Sequence, residues 1–202
     1  MKLTREWYRR FPHITTIYYC YEPSLTVPYV YDPQEMTLKL RGNETYTPGI
    51  LLKTLDAFQF VLDQFPSSQR VVRSNVSTIV DFRRMEKECG NIDIPYGGYM
   101  INELAWLDPA GGVVDDRWFG TRYASGTCII LSRDLLQQMM KGRAFFRQDL
   151  VDDLSIGVWV REHAPTVPLW SSKRDDWFFR NRKANREEDL KVMKKTIQRL
   201  IK

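Results

Sequence analysis

Two prolines, Pro48 and Pro66, bracket the segment that most limits what this chain can become. Thr47 reads as a helix N-cap, its hydroxyl placed to accept from an N–H one turn on. Pro48 then takes the first helical position, where a missing N–H costs nothing. Leu51, Leu55, Phe58, Leu62 and Phe65 follow at spacings of four, three, four and three, which makes one apolar helix face. Pro66 stops the helix. Arg70 to Arg73 carries Val71 and Val72 as a short buried strand, and its far end delivers Ser74, Asn75 and Ser77. A helix feeding a buried strand with polar residues at its carboxyl end is how an open α/β sheet builds a ligand crevice.

The same alternation runs along the rest of the chain. Met1 to Pro12 is basic and aromatic and reads as a short helix outside the sheet. Ile14 to Tyr21 is rich in β-branched and aromatic residues and reads as the first strand, with Tyr19 near its polar end. Pro23, Pro28 and Pro33 make the next stretch irregular, and Met36 to Leu40 reads as a short strand. Thr78 to Glu88 has a helical pattern. Tyr96 to Met100 reads as a strand whose glycines admit a close neighbour. Asn102 to Tyr123, with Trp106, Asp108, Asp115, Asp116 and Trp118, is long enough for a functional loop. Ser125 to Leu131 is a strand, and Ser132 caps the helix after it. Asp149 to Ala164 holds another helix, with Asp152 as the candidate cap. A final helix from Asn185, with Glu188 three residues on, buries Leu190, Met193, Ile197 and Ile201. Helices alternating with strands predict an α/β fold with a largely parallel sheet.

A chain of 202 residues suits one domain over 1–202, whether whole or a piece of a longer protein. A net charge of +5, with basic residues scattered, favours an anionic small ligand over a nucleic-acid duplex. Three cysteines, Cys20, Cys89 and Cys128, without paired spacing predict free thiols in a reducing, cytoplasmic setting. No apolar run reaches the ~18 residues that would mark a membrane span.

Glu44-Thr45-Tyr46 with Leu52 to Leu55, then Val71 to Ser77, then Tyr123 to Gly126 with Leu131-Ser132, then Asp152 to Gly157, together resemble the GT-A glycosyltransferases of the β-1,3-galactosyltransferase and Fringe type, and still more the glycosyltransferase domains of large algal DNA viruses. Glu44-Thr45-Tyr46 with Leu52-Lys53-Thr54-Leu55 is similar to that family's acidic-x-Tyr and Leu-Lys-Thr helix entry. Val71 to Ser77 sits where the family has a strand followed by Asp-x-Asp. Tyr123-Ala124-Ser125-Gly126 with Leu131-Ser132 resembles its Ser-Gly and Leu-Ser segment. Asp152-Asp153-Leu154-Ser155-Ile156-Gly157 is similar to its Glu-Asp-Val-x-x-Gly. The resemblance covers about Ile14 to Leu200. It implies a GT-A-like, Rossmann-like mixed sheet, mostly parallel and flanked by helices. It also implies transfer of a hexosyl or deoxyhexosyl group from a nucleotide sugar, a UDP-sugar foremost, to a glycan, in the host cytoplasm if the source is viral.

The resemblance assigns roles residue by residue. Asp153 is the expected base, with Asp152 beside it raising its pKa. Tyr19, Glu44, Lys53, Arg73, Asn75, Ser77 and Arg180 are expected at the donor, and Trp106, Trp118, Ser125 and Gly126 at the acceptor. The Asp-x-Asp slots hold Asn75 and Ser77, which are poor metal ligands, and Phe178 and Phe179 stand where the family tends to place a histidine. The expectation is therefore transfer without metal, with Arg73, Lys53, Arg180 or Arg182 neutralising the diphosphate. Asp81 and Asp116 are the weak alternatives for Mn²⁺ or Mg²⁺. The rival is a catalytically silent module that binds nucleotide sugar or glycan.

Overall fold

The structure is a computed structural model, and it describes residues 2–172, 177–180 and 185–202. Its elements are α1 (Lys2–Tyr8), β1 (Tyr18–Tyr21), β2 (Tyr29–Asp32), β3 (Thr37–Leu40), α2 (Gly49–Gln64), β4 (Arg70–Ser74) and β5 (Thr78–Val80). There follow α3 (Phe82–Cys89), β6 (Tyr96–Gly98), β7 (Ile101–Glu103), β8 (Arg122–Ala124), β9 (Cys128–Ser132) and α4 (Arg133–Lys141). The chain ends with α5 (Asp152–His163), β10 (Leu169–Ser171), β11 (Phe178–Arg180) and α6 (Arg186–Ile201).

The organising strand is β9. Its apolar run alternates between two cores. Cys128 and Ile130 face Trp7, Phe11, Val80, Phe178 and Met193 on one side. Ile129 and Leu131 face Leu51, Leu55, Phe58, Leu136 and Ile156 on the other. A strand buried on both faces needs apolar residues at successive positions, which is what Cys128 to Leu131 supplies. Helices α2, α4 and α5 therefore lie on one face, and α1 and α6 serve the other. A third cluster, with Leu104, Val113, Tyr123 and Leu154, packs the 101–124 excursion onto α5.

The fold is mixed α/β, but the pairing departs from the parallel expectation. The sheets run in the orders β10-β6-β9-β4, β1-β3-β2, β11-β5 and β7-β8. Among the described residues two ladders are parallel, β1 with β3 and β10 with β6, and five are antiparallel. The short return from Pro33 to Met36 forces β2 and β3 antiparallel, because a parallel return needs a long crossover; β4–β9, β6–β9 and β5–β11 pair across long stretches of chain.

Several local expectations are also corrected. Thr47 does not cap α2; the Thr45 hydroxyl accepts from Gly49 N–H at 2.9 Å instead. β4 is half-buried rather than buried, because it stands at the sheet edge. The proline-rich stretch holds β2, whose exposed residues hid it. Thr78 to Val80 is strand, and the helix begins only after Asp81, which caps it by accepting from Arg83 N–H. Trp7 and Phe11 make the N-terminal segment part of the core rather than an outer layer. At the other end Leu200, not Ile201, is buried. Asp152 is the first residue of α5 and not its cap. Gly97 and Gly98 do admit close backbone, since a Cβ there would meet the carbonyls of Trp170 and Cys128. Among the described residues no helix is long and apolar enough to cross a membrane.

Candidate functional site

Antiparallel pairing of β4 with β9 sets Ser74 opposite Cys128 and Arg73 opposite Ile129. The end of β4 thus meets the turn Ser125 to Thr127 that leads into β9. The amino end of α5 arrives at the same place, held by Val151 N–H donating to Gly111 O at 2.9 Å and Ser155 Oγ donating to Arg147 O at 2.9 Å.

Arg73 joins these three parts. Its guanidinium pairs with Asp152 Oδ2, donates to Gly126 O and reaches Tyr19 Oη at 3.3 Å. Thr54 Oγ1 lies 3.1 Å from Tyr19 Oη and 3.4 Å from Asp152 Oδ2, so α2 closes the network. Gly126 packs tightly here: a Cβ would sit 3.1 Å from both Arg73 Nη1 and Asp153 Oδ2, and both groups would have to give by a few tenths of an ångström. Its N–H donates to Asp153 Oδ2 at 2.7 Å, and Leu154 N–H donates to Asp153 Oδ1 at 2.9 Å. Burial first, then repulsion from Asp152, pushes the Asp153 carboxyl above its ordinary pKa, against the pull of Gly126 N–H and Arg73. A raised pKa makes the carboxylate a stronger proton acceptor than an ordinary aspartate.

A cavity of about 310 Å³ opens over this network. Of the expected residues it is lined by Arg73, Asn75, Trp106, Ser125, Gly126, Asp152 and Asp153. Asp108, Tyr46 and Tyr123 also line it and carried no role in the sequence reading. Asp108 sits in the same Trp-containing excursion as Trp106, and Tyr46 in the acidic-x-Tyr segment, so both lay within singled-out stretches. Tyr123 opens the matched Tyr123-Ala124-Ser125-Gly126 segment but was given no role there; burial first and then Asp153 push its phenol up to about 12.

A larger cavity, about 780 Å³, runs between β1 and β4 and is lined by Tyr19, Lys53, Arg73 and Asn75. It shares Ile50, Arg73 and Asn75 with the smaller one. Lys53 binds both Glu44 carboxylate oxygens at 2.6 Å and lies 6.0 and 5.8 Å from the Tyr19 and Tyr21 ring centroids. Burial raises the Glu44 pKa, but Lys53 and the Tyr21 N–H outweigh it and hold the group below its ordinary value. Glu44 lines neither cavity and acts as the partner of Lys53.

Other expected residues lie elsewhere. Ser77 turns toward α6, donating to Asp189 Oδ2 at 3.0 Å and accepting from Arg186. Asn75 Oδ1 accepts from Thr78 Oγ1 at 2.8 Å. The Asn75-x-Ser77 pair therefore does not fit a metal bound between its side chains. Trp118 lines neither cavity; the Arg147 guanidinium covers its ring at 5.2 Å. Asp81 is a buried helix cap tied to Arg83 and Arg84, and Asp116 sits exposed in the 3₁₀ turn Asp116–Trp118. Neither reaches a cavity, and among the described residues no three His, Cys, Asp or Glu side chains gather as metal ligands. The Arg180 side chain and Arg182 lie outside the described residues. His163 stacks on Trp159 and Phe145, with ring centroids at 5.1 and 4.9 Å. The three cysteines are free thiols.

No protein-family model matches the chain, and no curated protein matches it at a significant level.

Proposed function

We propose that this chain is a glycosyltransferase of the GT-A kind. It moves a sugar from a nucleotide-sugar donor, a UDP-sugar foremost, to a hydroxyl of a glycan. The observation that carries this reading is the pair of cavities joined at Ile50, Arg73 and Asn75, with Asp153 on one side of the join. A transferase must hold donor and acceptor together where the bond changes hands, and two cavities that meet supply that arrangement. In this reading the larger cavity takes the nucleotide, with Tyr19 and Lys53 at its wall. The sugar lies across the join and the acceptor enters the smaller cavity. Asp153 takes the proton as the acceptor oxygen attacks the anomeric carbon, and the diphosphate leaves.

Arg73 is less available to the diphosphate than the sequence suggested, because Asp152 and Gly126 O already occupy it. Lys53 and the Asn75 amide are the donor-side groups facing the larger cavity. The silent binding module is favoured by one observation, the Asn75-x-Ser77 pair turned away from metal service. UDP release from a set of UDP-sugars, with and without Mn²⁺, separates the two. Transfer requires release that Asp153→Asn lowers by about 10²–10⁴-fold while nucleotide binding persists. Nucleotide binding with no release by the parent chain sinks the enzyme and leaves the module.

A further inference from the structure

The smaller cavity has a charge pattern that the transferase reading does not use. Asp108, Asp152 and Asp153 line it, and Arg73 is the one Lys or Arg among its described lining residues. That guanidinium is already committed to Asp152. Two carboxyl groups, Asp108 and Asp153, thus remain without a cation of their own on the wall. Tyr46 reports the same field: burial first, then Asp108, Asp153 and Asp152, hold its phenol above the ordinary range. At the mouth, Tyr46 and Trp106 come from two separate segments and stay 55% and 48% exposed. Exposed aromatic surface rimming a polar pocket marks a ligand groove. A volume near 310 Å³ lies at the small end of ligand sites.

We propose that this cavity selects an uncharged sugar ring, gripping its C–H faces with Tyr46 and Trp106 and reading its hydroxyls through Asp108. The proposal rests on the transferase reading only in calling that ring the acceptor. Asp108 Oδ1 accepts from Gly111 N–H at 3.1 Å, which fixes the carboxylate on the cavity wall. A hydroxyl donating to a carboxylate makes one of the stronger hydrogen bonds available. A ring bearing carboxylate, phosphate or sulfate brings another negative charge against Asp108 and Asp153 in a partly desolvated space. Among the described residues no unpaired Lys or Arg lines the cavity to receive it. Asp108 is thereby a specificity residue that discriminates by repulsion as well as by attraction.

Saturation-transfer NMR on the whole chain tests this without any nucleotide present. The probes are methyl β-glucoside, β-galactoside and β-xyloside, with methyl β-glucuronide as the charged counterpart. At least one neutral glycoside shows transfer and the glucuronide binds at least about tenfold more weakly. Trp106→Ala, at an exposed position that leaves the core intact, abolishes the neutral signal. Asp108→Asn, which still caps Gly111, narrows the gap between neutral and charged rings. The proposal is overturned if the glucuronide binds as well as the glucoside, if no neutral glycoside binds, or if neither variant changes the result. Failure of the transferase reading looks different. Selective neutral-glycoside binding without any nucleotide-sugar binding removes the transferase and leaves this site. UDP release driven equally by glucuronide and glucoside acceptors does the reverse.

Discussion

Arg73, with its side chain 11% exposed against 5% for Asp152, forms a buried ion pair at the join of the two cavities. Such a pair adds little net stability relative to apolar residues, but removing one partner strands a charge. Arg73→Met is predicted to destabilise the fold by about 3–5 kcal/mol, and Arg73→Met with Asp152→Leu to recover most of that loss. Urea unfolding of both variants measures it. Asp153 gives the opposite sign. Its folded-state pKa lies above the ordinary value of 3.8, through burial and Asp152, so the folded chain holds more protons than the unfolded chain just above that pH. Stability therefore falls as pH climbs through the window from the ordinary to the raised pKa, and stays lowered beyond it. Asp153→Asn cannot ionise. Its stability should therefore change less between about pH 3 and pH 7 than its parent's, while turnover is lost. Equilibrium unfolding at both pH values shows whether the carboxyl carries this cost.

The elements explain which parts of the chain were legible. α2 was readable because its apolar spacing and its proline stop are both local, and Leu51, Leu55 and Phe58 are buried as that spacing requires. Ser132 capping α4 and Asn185 capping α6 were readable for the same reason. Strand direction was not, because pairing depends on where distant segments land. β2 carries exposed Tyr29 and Val30 and offers no alternation to detect. Thr78 to Val80 matched a helical spacing yet pairs with Phe178 to Arg180, so a distant strand overrode a local pattern. The site divides likewise. Asp152, Asp153, Arg73 and Gly126 stood out through the four-segment resemblance, whereas Ser77 and Trp118 were drawn away by α6 and Arg147. Asp81 yields a test at this scale. As the α3 cap its replacement by Ala should cost about 0.5–2 kcal/mol and leave UDP release per folded molecule unchanged. Loss of release that Mn²⁺ restores would instead make it a ligand.

Over the whole molecule, the two faces of β9 build separate cores, and the site lies where the ends of β4, the turn before β9 and the start of α5 converge. The larger cavity, between the β1 and β4 edges, is the part on which the transferase reading depends most. Thermal denaturation across a set of nucleotide sugars, each with and without Mn²⁺, tests that dependence most directly. One nucleotide sugar is predicted to raise the midpoint by about 5–10 °C at a concentration near 100 times its Kd. The rise should persist in Asp153→Asn and shrink in Lys53→Met. If no nucleotide sugar moves the midpoint of the parent chain, the larger cavity is not a donor site and the proposed transfer has no substrate to begin from.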